Sequence, residues 1–269
     1  MLKKERLDVL IVEKGIISSR EQAKRMIMAG LVKVNNEVID KPGTKVLIDA
    51  DIILKESLHP YVSRGGLKLM KAIDTFSINL EDKIMIDIGA STGGFTDCAL
   101  QHGAKEVYAI DVGYGQLAWK IRQDERVHVM ERTNFRYVTK EEFKHGKPNF
   151  VTIDVSFISL KTILANLINI IDIDSEIVAL VKPQFEAGKD KVGKKGLIKD
   201  QSIHKEVLKS VVNFAINISY EVLDITFSPI KGGEGNIEFL MYLKVYNSEK
   251  TIDNYQEIIN FVVEQAHQL

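Results

Sequence analysis

The stretch Ile86-Asp87-Ile88-Gly89-Ala90-Ser91-Thr92-Gly93-Gly94-Phe95-Thr96 constrains this chain more than any other. An apolar run ends in an acid, a glycine-rich turn follows, and helix-forming residues take over near Gly93. Glycine permits positive backbone angles and close approach to the main chain, so the segment predicts a strand, a tight turn and a helix. About 20 residues on, a second apolar run ends in Asp111, as in successive strands of a doubly wound unit. The turn is not G-x-G-x-x-G, because Ser91 replaces the second glycine, and it lacks the G-K-[ST] of a phosphate-binding loop.

Beyond residue 66 strands and helices alternate. Strands are predicted at 83–88, 106–111, 127–130, 150–154, 176–181, 221–226 and 238–246, with helices between most of them and a last helix over 253–267. This pattern predicts an α/β fold with a mainly parallel seven-stranded sheet. Only the turn 228–236 joins the last two strands, too short for a parallel crossover, so they are expected to pair antiparallel.

The first 60 residues differ. Leu7, Leu10 and Ile11 fall at helical spacing before Gly15. A second helix is expected from Ser18, which makes a capping-box pattern with Glu21, through Ala23, Met26 and Ile27 to Gly30. Leu31–Val34, the turn Asn35-Asn36 and Glu37–Ile39 read as a hairpin, because asparagine tolerates positive φ, and a short strand follows at 51–55. Pro60 and the pair Gly65-Gly66 mark a boundary. The expected division is a small α+β domain over 1–59, a linker over 60–66 and the α/β domain over 67–269.

The net charge is −1, yet residues 1–71 hold 14 Lys+Arg against 9 Asp+Glu, and residues 180–205 hold 7 lysines against 3 acids. Two basic zones on a nearly neutral chain point to a polyanion met at defined places. The single cysteine, Cys98, excludes an internal disulfide framework and a cysteine-rich metal site, and reads as a small core residue. The six histidines lack ligand spacing, so no metal is expected, and surface or loop positions suit them. Trp119 is expected to pack near the glycine turn. No apolar run is long enough to cross a bilayer, and charges interrupt the opening residues, which argues against a secretory signal; the expectation is a cytoplasmic protein with no membrane partner.

Four ionisable residues stand at element ends. Lys68 follows the linker, Asp154 ends the fourth strand, Lys182 ends the fifth before Pro183, and Glu238 opens the last. In a doubly wound sheet such ends converge on one crevice, where buried charges must be paired. An acid ending the first strand, Asp87, suits a ligand with a cationic amino-acid part, and Asp111 is placed to accept from ribose hydroxyls.

Residues 86–96 with Asp111 closely resemble motif I of the Rossmann-like methyltransferases. That resemblance implies S-adenosylmethionine as cofactor, with a pocket formed by Asp87, Gly89, Ala90, Ser91, Gly93, Gly94, Phe95, Asp111 and Val112 and bordered by Asn134 and Asp154. Phe157 is expected near the donor or in the core. Arg6-Leu7-Asp8, Ser19–Ala23 and Gly30–Asn35 resemble the S4 RNA-binding domain, which implies phosphate contacts from Arg6, Arg20, Lys24, Arg25 and Lys41, with Arg64 of the linker a further RNA contact. Lys68, Asp154, Lys182 and Glu238 match the K-D-K-E tetrad of ribose 2′-O-methyltransferases with the FtsJ-like fold.

With Val62-Ser63-Arg64-Gly65-Gly66, Asp111–Trp119, Glu131–Asn134, Ser156–Leu160 and Val181–Glu186, the whole chain is similar to the TlyA family. Its members are described both as haemolysin A and as ribosomal RNA cytidine 2′-O-methyltransferases. The resemblance implies methylation of a ribose 2′-hydroxyl in ribosomal RNA, with ribosomal subunits as partners. Lys182 would act as base or orienting group, Asp154 would orient Lys182 and face the methyl donor, and Glu238 would hold a lysine or the substrate hydroxyl. The basic loop 188–196 is expected to contact RNA. A membrane-active haemolysin finds no spanning segment or evenly alternating barrel strands here. A non-catalytic ribosome-binding factor is disfavoured by the intact tetrad.

Overall fold

A computed structural model describes residues 3–17, 19–28, 30–54, 59–246 and 254–268. The chain forms two compact units, residues 1–60 and 61–269.

In the first unit the order is β1 (Lys4–Arg6), α1 (Leu7–Glu13), α2 (Arg20–Met28), β2 (Val32–Val34), β3 (Glu37–Val38), β4 (Lys45–Leu47) and β5 (Ile52–Leu54). The helical stripe read from the sequence is the core: Leu7, Leu10, Ile11, Ala23 and Ile27 pack with Val32 and Val34. Asn35 and Asn36 turn the β2–β3 hairpin at φ 49° and 69°, as two-residue hairpins require. Ser18 lies outside the described residues; Ser19 instead accepts the Gln22 amide at 3.3 Å. The antiparallel pair β1–β4 was not legible in sequence, because Lys4-Glu5-Arg6 is short, charged and carries no alternation.

The second unit continues with α3 (Gly65–Phe76), β6 (Ile84–Ile88), α4 (Gly94–Gln101), β7 (Glu106–Ile110), α5 (Trp119–Arg122), β8 (Val127–Met130), β9 (Phe150–Ile153), α6 (Leu160–Leu167), β10 (Glu176–Val181), α7 (Pro183–Glu186), α8 (Gln201–Asn217), β11 (Tyr220–Phe227), β12 (Phe239–Val245) and α9 (Tyr255–Ala266). The expected seven-stranded sheet runs β11-β12-β10-β9-β6-β7-β8. All neighbours are parallel except β12, which is antiparallel to both β10 and β11. Strand residues alternate between two cores. Ile86, Ile177 and Val181 meet α6, α8 and α9, whereas Met85, Val178 and Leu180 meet α3 and α4. The chain winds outward from β6 through β7 and β8, then returns to the other side of β6 with β9. The switch point therefore lies between β6 and β9, where a crevice opens at the carboxyl ends of the strands.

Within residues 60–66, expected as a linker, Tyr61 and Gly66 are buried. Tyr61 belongs to the core beside Leu69, Phe95 and Cys98, and a Cβ at Gly66 would fall 2.3 Å from the Tyr61 ring. Gly65 and Gly66 thus open a helix rather than a hinge. Two further expectations are corrected. His204 is fully buried, one turn before Val207 and Leu208 on the apolar stripe of α8, and not at the surface. Trp119 is 69% exposed at the start of α5 and is not a packed residue, although the neighbouring Ala118 amide donates to Thr92 O of the turn at 3.0 Å.

Candidate active site

The loop after β6 is shaped by glycine and by two acids. Gly89 has φ +87°, and a Cβ there would lie 2.3 Å from the backbone oxygen of Asp154, so only glycine lets β6 pass β9 at this point. Gly93, at φ 95°, turns the chain into α4. Asp111 shapes this loop with both oxygens, accepting from the Ser91 amide at 2.8 Å and the Gly113 amide at 2.7 Å.

Asp87 departs from expectation. Its side chain is fully buried. One oxygen accepts from the Thr96 amide at 3.1 Å and the Thr96 hydroxyl at 2.6 Å, and the other accepts from the Thr152 hydroxyl at 2.9 Å. Burial pushes the carboxyl up to about 6 against these hydrogen bonds. It ties β6 to α4 and β9 and does not face the crevice.

Beside this loop lies a cavity of about 330 Å³. Gly89, Ala90, Ser91, Gly94, Phe95 and Asp154 line it as expected of cofactor contacts, whereas Gly93, Asp111, Val112 and Asn134 do not. Val112 is 71% exposed, and Asn134 instead caps the turn 135–137 by accepting the Arg136 amide. Phe157 is neither core nor cavity wall: it is 91% exposed, at φ +63°, with its ring 5.0 Å from that of Phe185. Sequence reasoning missed Ser63, Thr92 and the wall at 230–233. The doublet Gly232-Gly233 was its signal, since a Cβ on Gly232 would fall 2.0 Å from Glu238 Oε1.

The four ionisable residues come together in the same cavity. Lys68 Nζ, on the inner face of α3, is 2.7 Å from Glu238 Oε2 and 3.4 Å from Asp154 Oδ2. Lys182 Nζ, just beyond β10, is 2.5 Å from Asp154 Oδ1 and donates to Ser156 Oγ at 3.0 Å. The result is an alternating chain, Glu238–Lys68–Asp154–Lys182–Ser156. Glu238 is 2% exposed and covered by Gly232, whereas the Asp154 side chain keeps 20% exposure. Burial alone would lower the Lys68 ammonium, but Asp154 and Glu238 outweigh it and hold it above the usual lysine range. Two cations and two anions balance, which is what permits such burial.

In the first unit Arg6 and Arg20 converge on the buried carboxylate of Asp8, each through Nε at 2.9 Å. The hydrogen bond from Arg6, foremost, holds Asp8 below the usual carboxylate range. Lys24 and Lys41 are exposed, and the Arg25 side chain lies outside the described residues. Arg64, expected on RNA, is exposed at the cavity rim. In the basic loop Lys191 pairs with Glu206, and the side chains of Lys189 and Lys194 lie outside the described residues. Among the described residues no helix is long and apolar enough to cross a membrane, and no cluster of histidine, cysteine and acid could hold a metal ion.

A doubly wound sheet that turns on glycines at its switch point, beside a buried ionic chain, defines a Rossmann-like methyltransferase. The chain belongs to the FtsJ-like methyltransferase family, which matches residues 61–245, and it joins to this an S4 domain at residues 5–52. It is 56% identical to the candidate rRNA methyltransferase YqxC of Bacillus subtilis, over 98% of this chain and 95% of that one. It is 40% identical to the 16S/23S rRNA (cytidine-2'-O)-methyltransferase TlyA of Mycobacterium tuberculosis, over 91% of each. A solved structure of a candidate hemolysin from Streptococcus thermophilus superposes with a TM-score of 0.80 at 51% identity, covering 100% of this chain and 97% of that one.

Proposed function

We propose that this protein transfers a methyl group from S-adenosylmethionine to the 2′-hydroxyl of a cytidine ribose in ribosomal RNA, with the ribosome or its subunits as partner and the S4 unit supplying affinity for phosphates. The observation that carries this reading is the chain Glu238–Lys68–Asp154–Lys182, paired end to end in the cavity that the glycine loop also lines. The names of the TlyA relatives support the substrate.

The residues present fit the cofactor. Gly89 and Gly94 let a ligand approach the wall closely, and Phe95 adds an apolar surface. Asp87 is spent on Thr96 and Thr152, so Asp154 is the acid that remains for a cationic ligand. When bound, S-adenosylmethionine supplies an electrophilic methyl group. Lys182 has three N–H donors, of which Asp154 and Ser156 take two, and the third holds the oxygen of the incoming hydroxyl. Asp154 fixes that ammonium in place, Lys68 fixes Asp154 and Glu238 fixes Lys68. Glu238 therefore acts through a lysine and not on the hydroxyl. Transfer would form the oxygen–carbon bond as the donor's sulfur–carbon bond breaks, with the thioether S-adenosylhomocysteine as leaving group and the hydroxyl proton passing to water. The protein's contribution is orientation and electrostatic preorganisation.

The test is mapping of 2′-O-methylated cytidines in ribosomal RNA treated with the purified protein. Wild type is expected to add the mark, and Lys182→Ala to slow transfer by at least about 100-fold while S-adenosylmethionine binds within about threefold of wild type. Ribosomal RNA left unmodified by wild type would refute the proposal.

A further inference from the structure

Two segments carry the reacting groups. Residues 154–159 join β9 to α6 and bear Asp154 and Ser156; Lys182 immediately precedes α7. Three contacts cross between them in register. Lys182 Nζ reaches Asp154 and Ser156, the Phe185 ring meets Phe157, and Glu186 meets the start of α6. The third is the most completely bonded. Glu186 Oε2 accepts from the Ser159 hydroxyl at 2.7 Å, and Oε1 accepts from the Leu160 amide at 2.6 Å. The Leu160 amide belongs to the first turn of α6 and has no partner within the helix, and a carboxylate is favoured at that end.

The segment needs such a hold. Phe157, a bulky residue, sits in the left-handed region at φ +63°. Strain of this kind persists only where the surroundings over-determine it. The near end is fixed by the Asp154 amide, which donates to Ile88 O at 2.9 Å. The far end is fixed by Glu186.

We propose that Glu186 is a positioning residue for the methyl transfer: it locks the Asp154–Ser156 loop onto the turn that carries Lys182, and so sets the direction of the Lys182 ammonium. The proposal rests on the reading of the site given above. Glu186 does not line the cavity, so it acts through the loop and touches neither substrate nor cofactor.

The experiment compares full-length wild type, Glu186→Ala and Glu186→Gln. Glutamine keeps a carbonyl oxygen for the Leu160 amide and can donate to the Ser159 hydroxyl, whereas alanine can do neither. Glu186→Ala is expected to lower kcat by about 10- to 100-fold, the effect of a misplacement of about 1 Å, with KM for RNA and Kd for S-adenosylmethionine within about threefold. Glu186→Gln is expected to stay within about threefold of wild type in kcat, a margin too small to signal lost transition-state contact. Hydrogen exchange is read on the same proteins. Amides of 154–161 are expected to exchange faster in Glu186→Ala and at the wild-type rate in Glu186→Gln, with β6, β9 and α8 unchanged. A wild-type kcat in Glu186→Ala, equal losses in the two variants, or unaltered exchange over 154–161 would each overturn the proposal. Wild type inert on ribosomal RNA would instead overturn the methyltransferase reading, and the exchange comparison would still decide whether Glu186 holds the loop.

Discussion

Replacing Lys68 with methionine tests the ionic chain at its most buried link. Glu238 is 2% exposed, and Lys68 Nζ, at 2.7 Å, is the one hydrogen-bond donor to its carboxylate among the described residues. Asp154 would keep Lys182 at 2.5 Å, so Glu238 is the group left without a counter-charge. Removing one partner of a buried pair costs about 3–5 kcal/mol. For a unit of about 200 residues this lowers Tm by about 10 °C. The double variant Lys68→Met/Glu238→Leu has no stranded charge and is expected to recover at least half of the loss, since a buried pair and an apolar pair of similar volume are nearly equivalent. The folded Lys68 value lies above the unfolded one, so its stabilisation is complete below about pH 10 and fades only as pH rises through the folded value. Urea unfolding and thermal melts at pH 7 measure both variants. Both should also have lost transfer, which separates stability from chemistry. A single variant within about 1 kcal/mol of wild type, or a double variant no better than the single one, would refute the argument that Glu238 depends on Lys68.

Two further perturbations follow from the glycine loop. Asp87 is raised to about 6 in the fold, so the native state binds the extra proton and stability falls as pH rises from about 4 to about 6, then levels; Asp87→Asn should remove this slope. The wild-type and variant curves should diverge by about 3 kcal/mol between pH 4 and pH 7 in urea unfolding, and parallel curves would contradict the burial argument. Gly89→Ala places a Cβ 2.3 Å from a backbone oxygen at φ +87°, and is expected to cost about 2 kcal/mol or more in stability. Calorimetric titration should find affinity for S-adenosylmethionine at least about tenfold weaker, and unchanged affinity would refute that outcome.

The sequence made the order of elements legible because periodicity and glycine placement are local. The strand–turn–helix at 84–101 and the antiparallel β11–β12 pair follow from patterns a few residues wide. The side chains that gather in the cavity were legible for a different reason: Asp154, Lys182 and Glu238 adjoin strands whose relevant ends meet at one edge. The direction of a side chain in a central strand was not legible. Asp87 lies between Ile86 and Ile88, with Ala109 and Thr152 as neighbours across the sheet, and both faces of β6 are covered. In a strand buried on both sides the pattern is apolar throughout, and nothing in it says which face an acid will take. Phe157 was illegible in the opposite sense. Its exposure goes with a left-handed backbone that an aromatic residue almost never adopts, so the sequence placed it near the donor or in the core.

Asp87, which is buried, and Asp154, which is half-buried, differ in the type of partner they hold. Asp87 is satisfied by hydroxyls and an amide, which set geometry without supplying charge, and burial raises it accordingly. Asp154 is held by two ammonium groups, and its side chain keeps 20% exposure at the cavity. Glu238 then has a clear place. Nearly buried beside Gly232 at the cavity wall, it shares the ammonium of Lys68 with Asp154. Sharing Lys68 between two carboxylates leaves part of the Asp154 charge for the crevice. Under the proposed reading, the alternation of sign along the chain is therefore what fixes one carboxylate at the cavity while balancing the charge of the group.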